Sequence, residues 1–440
     1  MYVSVDDTDS VSGGCTTYLA TEIISELCKD MDLIGYPRLV RLNPATPWKT
    51  RGNGSLVMRF GKGAGKRMLA GNICGEDIFC FETSSSYEPA AEDIMRRAAM
   101  LVEAHSVKES DPGLVVSRRK PSQSMYWKGV RTIVEKSAAD AEIQRIGACK
   151  YEAGNGRGIV GAVCGMAWRP RDSTHEVITY RAKDRWGTGR IFEPVSIREA
   201  DRSLPTTFNS WEERAGKVAM VPSTPCPVMY GLRGDDPSDL MKGKDMIRSE
   251  PADRWMMFLT NQGTDDHVIR RPAAMVPNSS YYVDGRVIGS KHIPGGHVLM
   301  SMETRFGTMT VGAYEPSKEF RLLFDNLSEG DIIGVTGELR EEPRTINAEK
   351  VLVISVAERY EKTSNPVCTG CGRTMESVGA GKGYRCRRCR TSAESPMTRK
   401  AVRWVKEGWY EPPVAARRHL SKPLKRMGLE QPVEFVNKRI

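Results

Sequence analysis

Residues 1–17 read MYVSVDDTDSVSGGCTT, and this stretch decides the fold of the N-terminal region. The apolar residues Tyr2 to Val5 predict a β-strand, the acidic run 6–10 predicts a turn, and Thr16 to Cys28 predicts a helix. A strand that continues through an acidic turn into a helix places carboxylates beside the free amides of a helix N-terminus. This arrangement suits Mg²⁺ and a polyphosphate, because magnesium prefers a few carboxylates together with substrate phosphates.

Three carboxylates stand within four positions of this turn, and we predict that Asp6, Asp7 and Asp9 are catalytic residues that hold Mg²⁺. The same turn and helix start supply candidate ATP- and phosphate-binding residues: Ser10, Gly13, Gly14 and Thr17. The alternative is a solvated turn that caps the helix, because Asp and Ser are favoured at turns and N-caps.

A length of 440 residues predicts about three or four domains. No apolar run approaches the roughly 20 residues that a membrane span requires, and the N-terminus lacks the features of a secretory signal. We therefore expect a soluble cytoplasmic protein without a membrane partner. The six histidines show no metal-ligand spacing, so no histidine-based catalysis is predicted.

The net charge of +10 is concentrated at one end of the chain. From Pro366 onward there are 17 Lys and Arg residues against 6 acids, whereas the preceding residues carry a net charge of −1. A neutral body with a basic end indicates a polyanionic partner, and the alternative is a solubilising tail.

Two Cys-x-x-Cys pairs, Cys368 with Cys371 and Cys386 with Cys389, are separated by fourteen residues. Four thiolates at this spacing predict a structural zinc site with no open coordination position. The other seven of the eleven cysteines are scattered, which fits reduced thiols and not a disulfide framework. Guanidinium groups and aromatic rings lie within and after the second pair, and these are candidate RNA-binding residues: Arg385, Arg387, Arg388, Arg390, Trp404 and Trp409.

A glycine-rich segment at 154–161 satisfies G-x-G-x-x-G but does not follow an apolar strand, so a Rossmann site is improbable. A backbone cradle for phosphate or ribose is one interpretation, and a structural turn is the other. The candidate phosphate-binding residues here are Asn155, Gly156, Arg157 and Gly158. Farther along, Asp235 and Asp236 are candidates to bind a cationic amine, although they equally fit the cap of a helix that begins at Pro237.

The pattern along the chain is α/β as far as about residue 275, with one helix predicted over Gln123 to Lys136. Five short strands then follow between Tyr282 and Val356, with an extra segment from Pro316 to Leu327. This layout predicts an OB-fold, a small barrel that commonly binds single-stranded nucleic acid, and the alternative is another small β-barrel used as a spacer.

The acidic turn followed by Cys15-Thr16-Thr17 resembles the N-terminus of the archaeal 2-agmatinylcytidine synthetase (TiaS) family, which attaches agmatine to the wobble cytidine of an isoleucine tRNA. The segments 155–162 (NGRGIVGA), 206–209 (TTFN) and 230–234 (YGLRG) resemble the family in the same order, as do the β-rich region and the paired Cys-x-x-Cys motifs. The resemblance covers nearly the whole chain.

The resemblance implies a multidomain α+β fold. Its expected parts are an α/β kinase-like catalytic domain (1–117), a ferredoxin-like region (118–275), an OB-fold β-barrel (276–360), a zinc ribbon (365–395) and a basic C-terminal tail (396–440). The boundary or interleaving of the first two parts is left open by the sequence.

The resemblance further implies an ATP-dependent ligase that cleaves ATP to AMP and pyrophosphate, phosphorylates the 2-carbonyl of the wobble cytidine and displaces this phosphate with agmatine. Its expected partners are ATP, Mg²⁺, structural Zn²⁺, agmatine and an isoleucine tRNA with a CAU anticodon. It also places a phosphorylated catalytic threonine at Thr16, with Thr17 as the second choice. Two alternatives remain open: a non-catalytic binder of single-stranded nucleic acid, built from the OB-fold and zinc ribbon, and a kinase or ligase acting on a small metabolite.

Overall fold

The computed structural model describes residues 1–10, 13–49, 52–85 and 89–433. Within these residues, a large mixed sheet of twelve strands extends from Tyr2 to Thr260. The strands of this region are β1 (Tyr2–Asp6), β2 (Asp32–Ile34), β3 (Arg38–Arg41), β4 (Gly54–Gly61), β5 (Gly63–Ile73), β6 (Glu76–Ser84), β7 (Gly113–Ser117), β8 (Cys149–Glu152), β9 (Thr174–Arg181), β10 (Thr207–Phe208), β11 (Trp211–Glu212), β12 (Lys217–Val218), β13 (Val228–Gly234) and β14 (Ala252–Thr260). The helices are α1 (Thr16–Leu27), α2 (Ala91–His105), α3 (Gln123–Arg131), α4 (Lys136–Ile146), α5 (Gly158–Met166), α6 (Pro194–Ser203) and α7 (Pro237–Met246).

The sheet order is β10-β13-β9-β14-β5-β6-β2-β4-β1-β7-β8, with β3 paired to both β4 and β14, while β11 and β12 form a separate hairpin. Strand β1 is therefore internal, between β4 and β7. Its side chains alternate: Val3 and Val5 pack in the core with α1 and α2, whereas Ser4 faces α5 and donates a hydrogen bond to the carbonyl oxygen of Ala162 (2.7 Å). The acidic turn thus leaves the end of a strand that is covered by helices on both faces.

The helix predicted over Gln123 to Lys136 is two helices, α3 and α4, and this prediction was wrong. Helix α3 ends at Arg131, and Thr132 adopts an extended conformation with φ −136° and ψ 179°. The intervening residues include the β-branched run 132–134 (TIV), which disfavours helix. Both helices pack with α5 on the face of the sheet opposite α1 and α2.

The sheet is continuous across the region where a domain boundary was expected. Strand β14 pairs with β3 in parallel, with Leu259 opposite Arg38, and with β5 antiparallel, with Arg254 opposite Ile73. Strands from both sides of residue 117 therefore share one sheet, and we call the described residues up to 260 the sheet body.

A closed barrel follows this body. Its elements are β15 (Val268–Ile269), β16 (Ser279–Ile293), β17 (His297–Thr304), β18 (Gly307–Ala313), α8 (Phe320–Asn326), β19 (Ile332–Leu339) and β20 (Thr345–Ser355). The order β16-β17-β18-β20-β19 closes because β19 also pairs with β16, and β18 runs parallel to β20. Helix α8 lies between β18 and β19 in sequence and buries Phe320, Leu323 and Phe324 in the barrel core. All five predicted strands are present.

The chain then leaves the barrel, forms a small cysteine-containing domain and returns. Its strands are β21 (Tyr360–Ser364), β22 (Glu376–Ser377), β23 (Tyr384–Arg385), β24 (Ser392–Ala393) and β25 (Met397–Lys400), with β21 paired to β25 and β22 to β24 forming a three-stranded sheet. Strand β26 (Gly408–Tyr410) then adds to the barrel beside β20.

Residues 411–428, which we call the C-terminal strap, run from the barrel back across the sheet body. Leu420 is buried in the core formed by α3, α4 and α5, and the Gly263 amide donates to the carbonyl oxygen of His419 (2.8 Å). Lys422 and Arg426 both pair with Asp172, at 2.9 and 2.8 Å. Residues 396–433, which were predicted as part of a basic tail, include β25 of the cysteine-containing domain, β26 of the barrel and the strap on the sheet body, where Asp172 pairs with Lys422 and Arg426. Residues 434–440 lie outside the described part.

Within the described residues, no helix combines the length and apolar character that a bilayer crossing requires.

Candidate active site

The acidic turn is held by its own backbone and by α1. Asp6 is the last residue of β1, and Asp7 adopts a left-handed conformation with φ 57°, which aspartate tolerates better than most residues. The Asp7 amide donates to Asp6 Oδ1 (2.8 Å). Thr8 Oγ1 donates to Thr16 Oγ1 (3.1 Å), and Thr16 Oγ1 makes a long hydrogen bond of 3.4 Å to Asp9 Oδ1. The turn and the first residue of α1 are thus joined.

The carboxylates of this turn repel one another in a poorly solvated position. Burial and the neighbouring Asp7 raise the pKa of Asp6 from 3.8 to about 8. Burial, Asp111 and Asp9 raise the pKa of Asp7 to about 6. A bound cation would favour the ionised form of these carboxylates, above all of Asp6, and carboxylate oxygens are hard ligands of the kind that Mg²⁺ prefers. The donor set therefore fits a magnesium ion.

A cavity of about 560 Å³ opens beside the turn. Its lining includes five residues of the predicted N-terminal site: Asp6, Asp7, Asp9, Thr16 and Thr17. It also includes Arg157 and Gly158 of the glycine-rich segment. Ser10 is buried next to it, and its amide donates to the carbonyl oxygen of Gly13 (2.9 Å). Gly14 has φ 75°, and a Cβ there would lie 3.0 Å from Thr8 O, so the turn needs glycine at this position.

Two helices begin at this cavity. Helix α1 starts without a side-chain cap within the described residues, and α5 starts at Gly158 without one as well. The first three amides of α5 donate to the backbone carbonyl oxygens of Asp111, Gly156 and Arg157. The first-turn amides of α1 are therefore the ready donors for an anion at this cavity. The structure therefore brings the acidic turn and the glycine-rich segment together, although about 150 residues separate them in the sequence.

The glycines of the G-x-G-x-x-G pattern allow α5 to approach the sheet closely. A Cβ at Gly158 would lie 2.3 Å from the Gly113 amide nitrogen, and one at Gly161 would lie 1.6 Å from Asp6 Oδ2. The Asp6 carboxylate occupies the space that a side chain at position 161 would need. The glycines of this motif therefore allow α5 to pack against the sheet around the Asp6 carboxylate.

The loop before α5 is held by Asp111, which the sequence analysis missed. Asp111 accepts hydrogen bonds from the backbone amide of Asn155 (2.8 Å) and from its side-chain Nδ2 (2.6 Å). The Arg157 guanidinium lies 3.7 Å from the centre of the Trp48 ring, and Trp48 is 50% exposed at the edge of the cavity. Arg157 lowers the pKa of Asp7, although burial and the neighbouring acids outweigh this effect.

Another part of the cavity wall is basic, and we call it the basic wall. Four side chains form it: Arg41, Lys49, Arg233 and His419. Arg233 Nε donates to Glu176 Oε1 (2.9 Å), and Glu176 also accepts from Gln262. The positive charges of Arg41, Arg233 and Lys49 hold the pKa of the His419 imidazole well below its usual range, which favours its neutral form.

Asp235 and Asp236 lie outside the cavity lining and have other partners. Asp236 caps α7 by accepting a hydrogen bond from the Ser238 amide (2.8 Å). Asp235 pairs with Arg426 of the strap at 2.7 Å. The structure thus supports the helix-cap interpretation for Asp236 and gives Asp235 a guanidinium partner from within the chain.

The four cysteines of the small domain meet as predicted. The Sγ atoms of Cys368, Cys371, Cys386 and Cys389 all lie within 4.8 Å of one another, which fits four ligands of one tetrahedral Zn²⁺. Arg385, Arg388 and Arg390 are exposed around them, and the exposed Arg387 pairs with Glu376 (2.6 Å).

The two predicted tryptophans differ in their surroundings. Trp404 is 51% exposed, whereas Trp409 lies in β26 opposite Leu352, with its ring centre 6.4 Å from that of Tyr282. Trp409 is therefore part of the barrel wall.

Comparisons with known proteins agree with one another over the whole chain. Three domain models match it: the TiaS TCKD domain at residues 2–155, the TiaS FLD domain at 156–267 and the TiaS C-terminal zinc ribbon domain at 365–405. The tRNA 2-agmatinylcytidine synthetase TiaS of Archaeoglobus fulgidus is 36% identical over 440 residues, covering 98% of both chains. The protein of the same name from Methanocaldococcus jannaschii is 33% identical, covering 98% of this chain and 99% of the relative.

Solved structures give the same result. A crystal structure of TiaS in complex with an isoleucine tRNA and ATP matches with a TM-score of 0.85 and 34% identity over 99% of both chains. A complex of TiaS with an isoleucine tRNA, AMPCPP and agmatine matches with a TM-score of 0.82 and 31% identity, again over 99% of both chains. The chain therefore belongs to the TiaS family of isoleucine tRNA 2-agmatinylcytidine synthetases.

Proposed function

We propose that this protein attaches agmatine to the wobble cytidine of an isoleucine tRNA with a CAU anticodon, in an ATP-dependent reaction that yields 2-agmatinylcytidine. The observation that carries the proposal is the acidic turn, which meets the uncapped start of α1 and the glycine-rich loop before α5 at one cavity in a chain of this family. A binding module without catalysis would have no use for three crowded carboxylates at such a place.

The chemistry requires activation of an oxygen atom. The 2-carbonyl oxygen of cytidine is a poor leaving group. Transfer of a phosphoryl group from ATP to this oxygen breaks a P–O bond of ATP, releases the remaining nucleotide and creates a good leaving group on C2. The primary amine of agmatine then attacks C2 and loses a proton, and the C–O bond breaks to release phosphate. Phosphoryl transfer depends mainly on positioning and on electrostatic stabilisation, which are the properties that a charged cavity supplies.

Asp6, Asp7 and Asp9 would hold Mg²⁺, which when bound neutralises charge on a triphosphate. Backbone and side-chain donors around the turn and the α5 loop would bind the phosphates: Ser10, Gly13, Gly14, Thr17, Asn155, Gly156, Arg157 and Gly158. Support comes from the uncapped start of α1 and from Arg157, whose guanidinium borders the acidic turn.

Thr16 is the proposed phosphorylated threonine. Its hydroxyl lines the cavity at the start of α1 and lies 3.4 Å from Asp9 Oδ1, which can accept its proton. Thr17 Oγ1 instead lies 3.1 Å from Cys15 Sγ, and Cys15 is not part of the acidic turn. This difference favours Thr16.

The domain assignments remain proposals. Pairing of β3 with β14 supports interleaving of the kinase-like part (1–117) with the ferredoxin-like part (118–275). The barrel order, with a helix before β19, supports an OB-fold at 276–360. Flipping a cytidine out of the anticodon costs roughly a few kcal/mol. Stacking and phosphate contacts from a barrel and a zinc ribbon (365–395) can offset a cost of this size. The exposed arginines 385, 387, 388 and 390 and Trp404 are the proposed RNA contacts of the ribbon region.

Magnesium is expected to stabilise the protein more at pH 8 than at pH 5. Because Asp6 and Asp7 have raised pKa values, the metal-free folded chain binds more protons than the unfolded chain, so the free energy of unfolding falls as pH rises from about 4 to about 8. Mg²⁺ replaces those protons, and at 100 times its Kd it restores about 2.7 kcal/mol. Thermal unfolding with EDTA or Mg²⁺ at both pH values measures this, and an equal effect of Mg²⁺ at pH 5 and pH 8 would contradict it.

Gly161→Ala is expected to lower the rate of agmatine incorporation by at least about 10²-fold, because the new methyl group displaces the Asp6 carboxylate and a displacement of a catalytic group by about 1 Å costs about this much. Gly189→Ala is the matched control, since a Cβ there meets no described atom within 4 Å and its φ does not favour glycine. Comparable rates for the two variants would show that Asp6 does not need its observed position.

The proposed function is tested by incubating the protein with labelled agmatine, ATP, Mg²⁺ and an isoleucine tRNA transcript with a CAU anticodon. We expect label in the RNA only when ATP is present and only when the wobble base is cytidine. RNA binding without incorporation would support the non-catalytic alternative, and ATP turnover that does not depend on RNA would support a small-metabolite enzyme.

A further inference from the structure

Three residues of the basic part of the cavity wall come from two distant places in the chain. Arg41 ends β3, Lys49 lies in the segment that follows, and His419 belongs to the C-terminal strap. Arg41 and Lys49 both act electrostatically on the His419 imidazole, so the three side chains are neighbours. The strap residue Arg418 donates to the carbonyl oxygen of Pro44 (2.8 Å), which fixes the strap against the segment that carries Lys49.

The positive charge of this wall is not neutralised within the described part of the chain. Arg233 has Glu176 as its carboxylate partner, whereas among the described residues Arg41 and Lys49 have no carboxylate at ion-pair distance. Arg41 Nε is buried with no hydrogen-bond partner among them, and its Nη1 makes a long contact of 3.5 Å to the carbonyl oxygen of Gly52. The exposed Lys49 ammonium donates to the carbonyl oxygen of Pro44. A guanidinium with a buried, unpaired nitrogen is costly unless an anion joins it.

We propose that Arg41, Lys49 and His419 form a phosphate subsite separate from the acidic turn. The guanidinium offers a planar pair of N–H donors, the ammonium adds a point charge, and the neutral imidazole adds an N–H donor. The ligand is a phosphate group, supplied either by the RNA backbone beside the modified cytidine or by ATP. The proposal rests on the proposed function, because that function brings both kinds of phosphate into this cavity.

The subsite differs from the acidic turn in one property that can be measured. Three carboxylates repel phosphate unless a cation intervenes, whereas the basic wall attracts phosphate without any metal. Binding at the basic wall therefore persists in EDTA. The barrel lies next to this wall, because Arg418 of the strap pairs with Glu338 and Glu349 of the barrel, and both carboxylates also act electrostatically on Lys49.

The test uses Arg41→Gln and Lys49→Ala in the full-length protein, with Lys66→Ala on β5 as the control for loss of an exposed positive charge. Because Lys49 is exposed, its replacement preserves folding even if Arg41→Gln does not. The first measurement is the Kd for an anticodon stem-loop of the isoleucine tRNA in EDTA, from about 50 to 200 mM KCl, the range over which phosphate contacts are lost. The second is the Kd for a non-hydrolysable ATP analogue with Mg²⁺ and no RNA.

We expect one of the two ligands to bind about tenfold more weakly to each variant, as is typical for loss of a hydrogen bond to a charged group. If the phosphate belongs to RNA, the slope of log K against log salt also falls by about 0.7–0.9 for each lost contact. If it belongs to ATP, only analogue binding changes. Either result supports the subsite and identifies the source of its phosphate.

Affinities of both variants within about twofold of the unmodified protein, for both ligands, would overturn the proposal, since a lost charged contact costs more than this. An equal loss in Lys66→Ala would overturn it too, because the effect would then reflect overall charge. These binding measurements do not depend on agmatine, so failure of the proposed reaction would be seen separately in the incorporation assay.

Discussion

Asp7→Asn is expected to reduce agmatine incorporation by about 10²- to 10³-fold or more, the typical cost of removing one group that stabilises charge in a transition state. The substitution keeps the shape of the side chain and removes one negative charge from a turn that we propose as the magnesium site. Asp7 lines the cavity, and its left-handed backbone conformation suits asparagine equally well. The loss therefore reflects charge and not folding.

Affinity for the tRNA should stay within a few-fold in this variant, because the proposed RNA contacts lie on the barrel, the ribbon and the basic wall. Asp245→Asn is the matched control, since this aspartate is 70% exposed on α7 and pairs only with its neighbour Lys244 among the described residues. A parallel collapse of RNA binding in Asp7→Asn would contradict a purely catalytic role for the acidic turn.

Cys386→Ser is expected to abolish zinc binding and to weaken tRNA binding by at least about tenfold. The ribbon core is small, with Met375, Tyr384 and Ala393 packed around the cysteines, so the metal must supply most of its folding free energy. Structural zinc contributes about 10–16 kcal/mol in comparable small domains. Without it, the exposed arginines lose their fixed arrangement and with it their phosphate contacts.

The sheet body should remain folded in this variant, because β26 and the strap are attached independently through β20 and Asp172. Zinc content, the Tm of the body and the Kd for tRNA measure the three parts of this prediction. Cys74→Ser controls for loss of a thiol, since Cys74 is exposed and lies outside the zinc cluster. Unchanged tRNA affinity in a zinc-free protein would contradict the role of the ribbon in RNA binding.

Features that depend on neighbouring residues could be predicted from the sequence. The acidic turn, the start of α1 and the paired cysteines each lie within a short stretch whose spacing determines its geometry. The barrel strands could also be predicted, because apolar and polar residues alternate regularly along them and turn residues separate them.

Features created by the topology could not be predicted. Arg41, Glu176 and His419 lie in unremarkable local sequence, and they meet only because β3 pairs with β14, which pairs with β9, and because the strap returns to the body. Asp111 had one signal, an Asp-Pro-Gly turn just before β7, but nothing local connects it to Asn155.

Net charge alone does not distinguish the basic residues of the C-terminal region that pair within the chain from those left for an anionic partner. Its excess of positive charge indicated an anionic partner, yet Lys422 and Arg426 pair with Asp172, and Arg426 also takes Asp235. Part of the charge serves to fix the strap, and we propose that the arginines around the zinc cluster and the basic residues of the cavity wall bind external anions. Only the folded structure distinguishes these uses.

The central claim is that one cavity couples ATP consumption to formation of a C–N bond on RNA. The most direct measurement counts ATP consumed and labelled agmatine incorporated in the same reaction, with and without the isoleucine tRNA, for the unmodified protein and for Asp7→Asn. We predict equal amounts of the two in the unmodified protein, no ATP consumption without the tRNA, and loss of both in Asp7→Asn. Incorporation without ATP, or ATP consumption of equal rate in the absence of tRNA, would contradict the account.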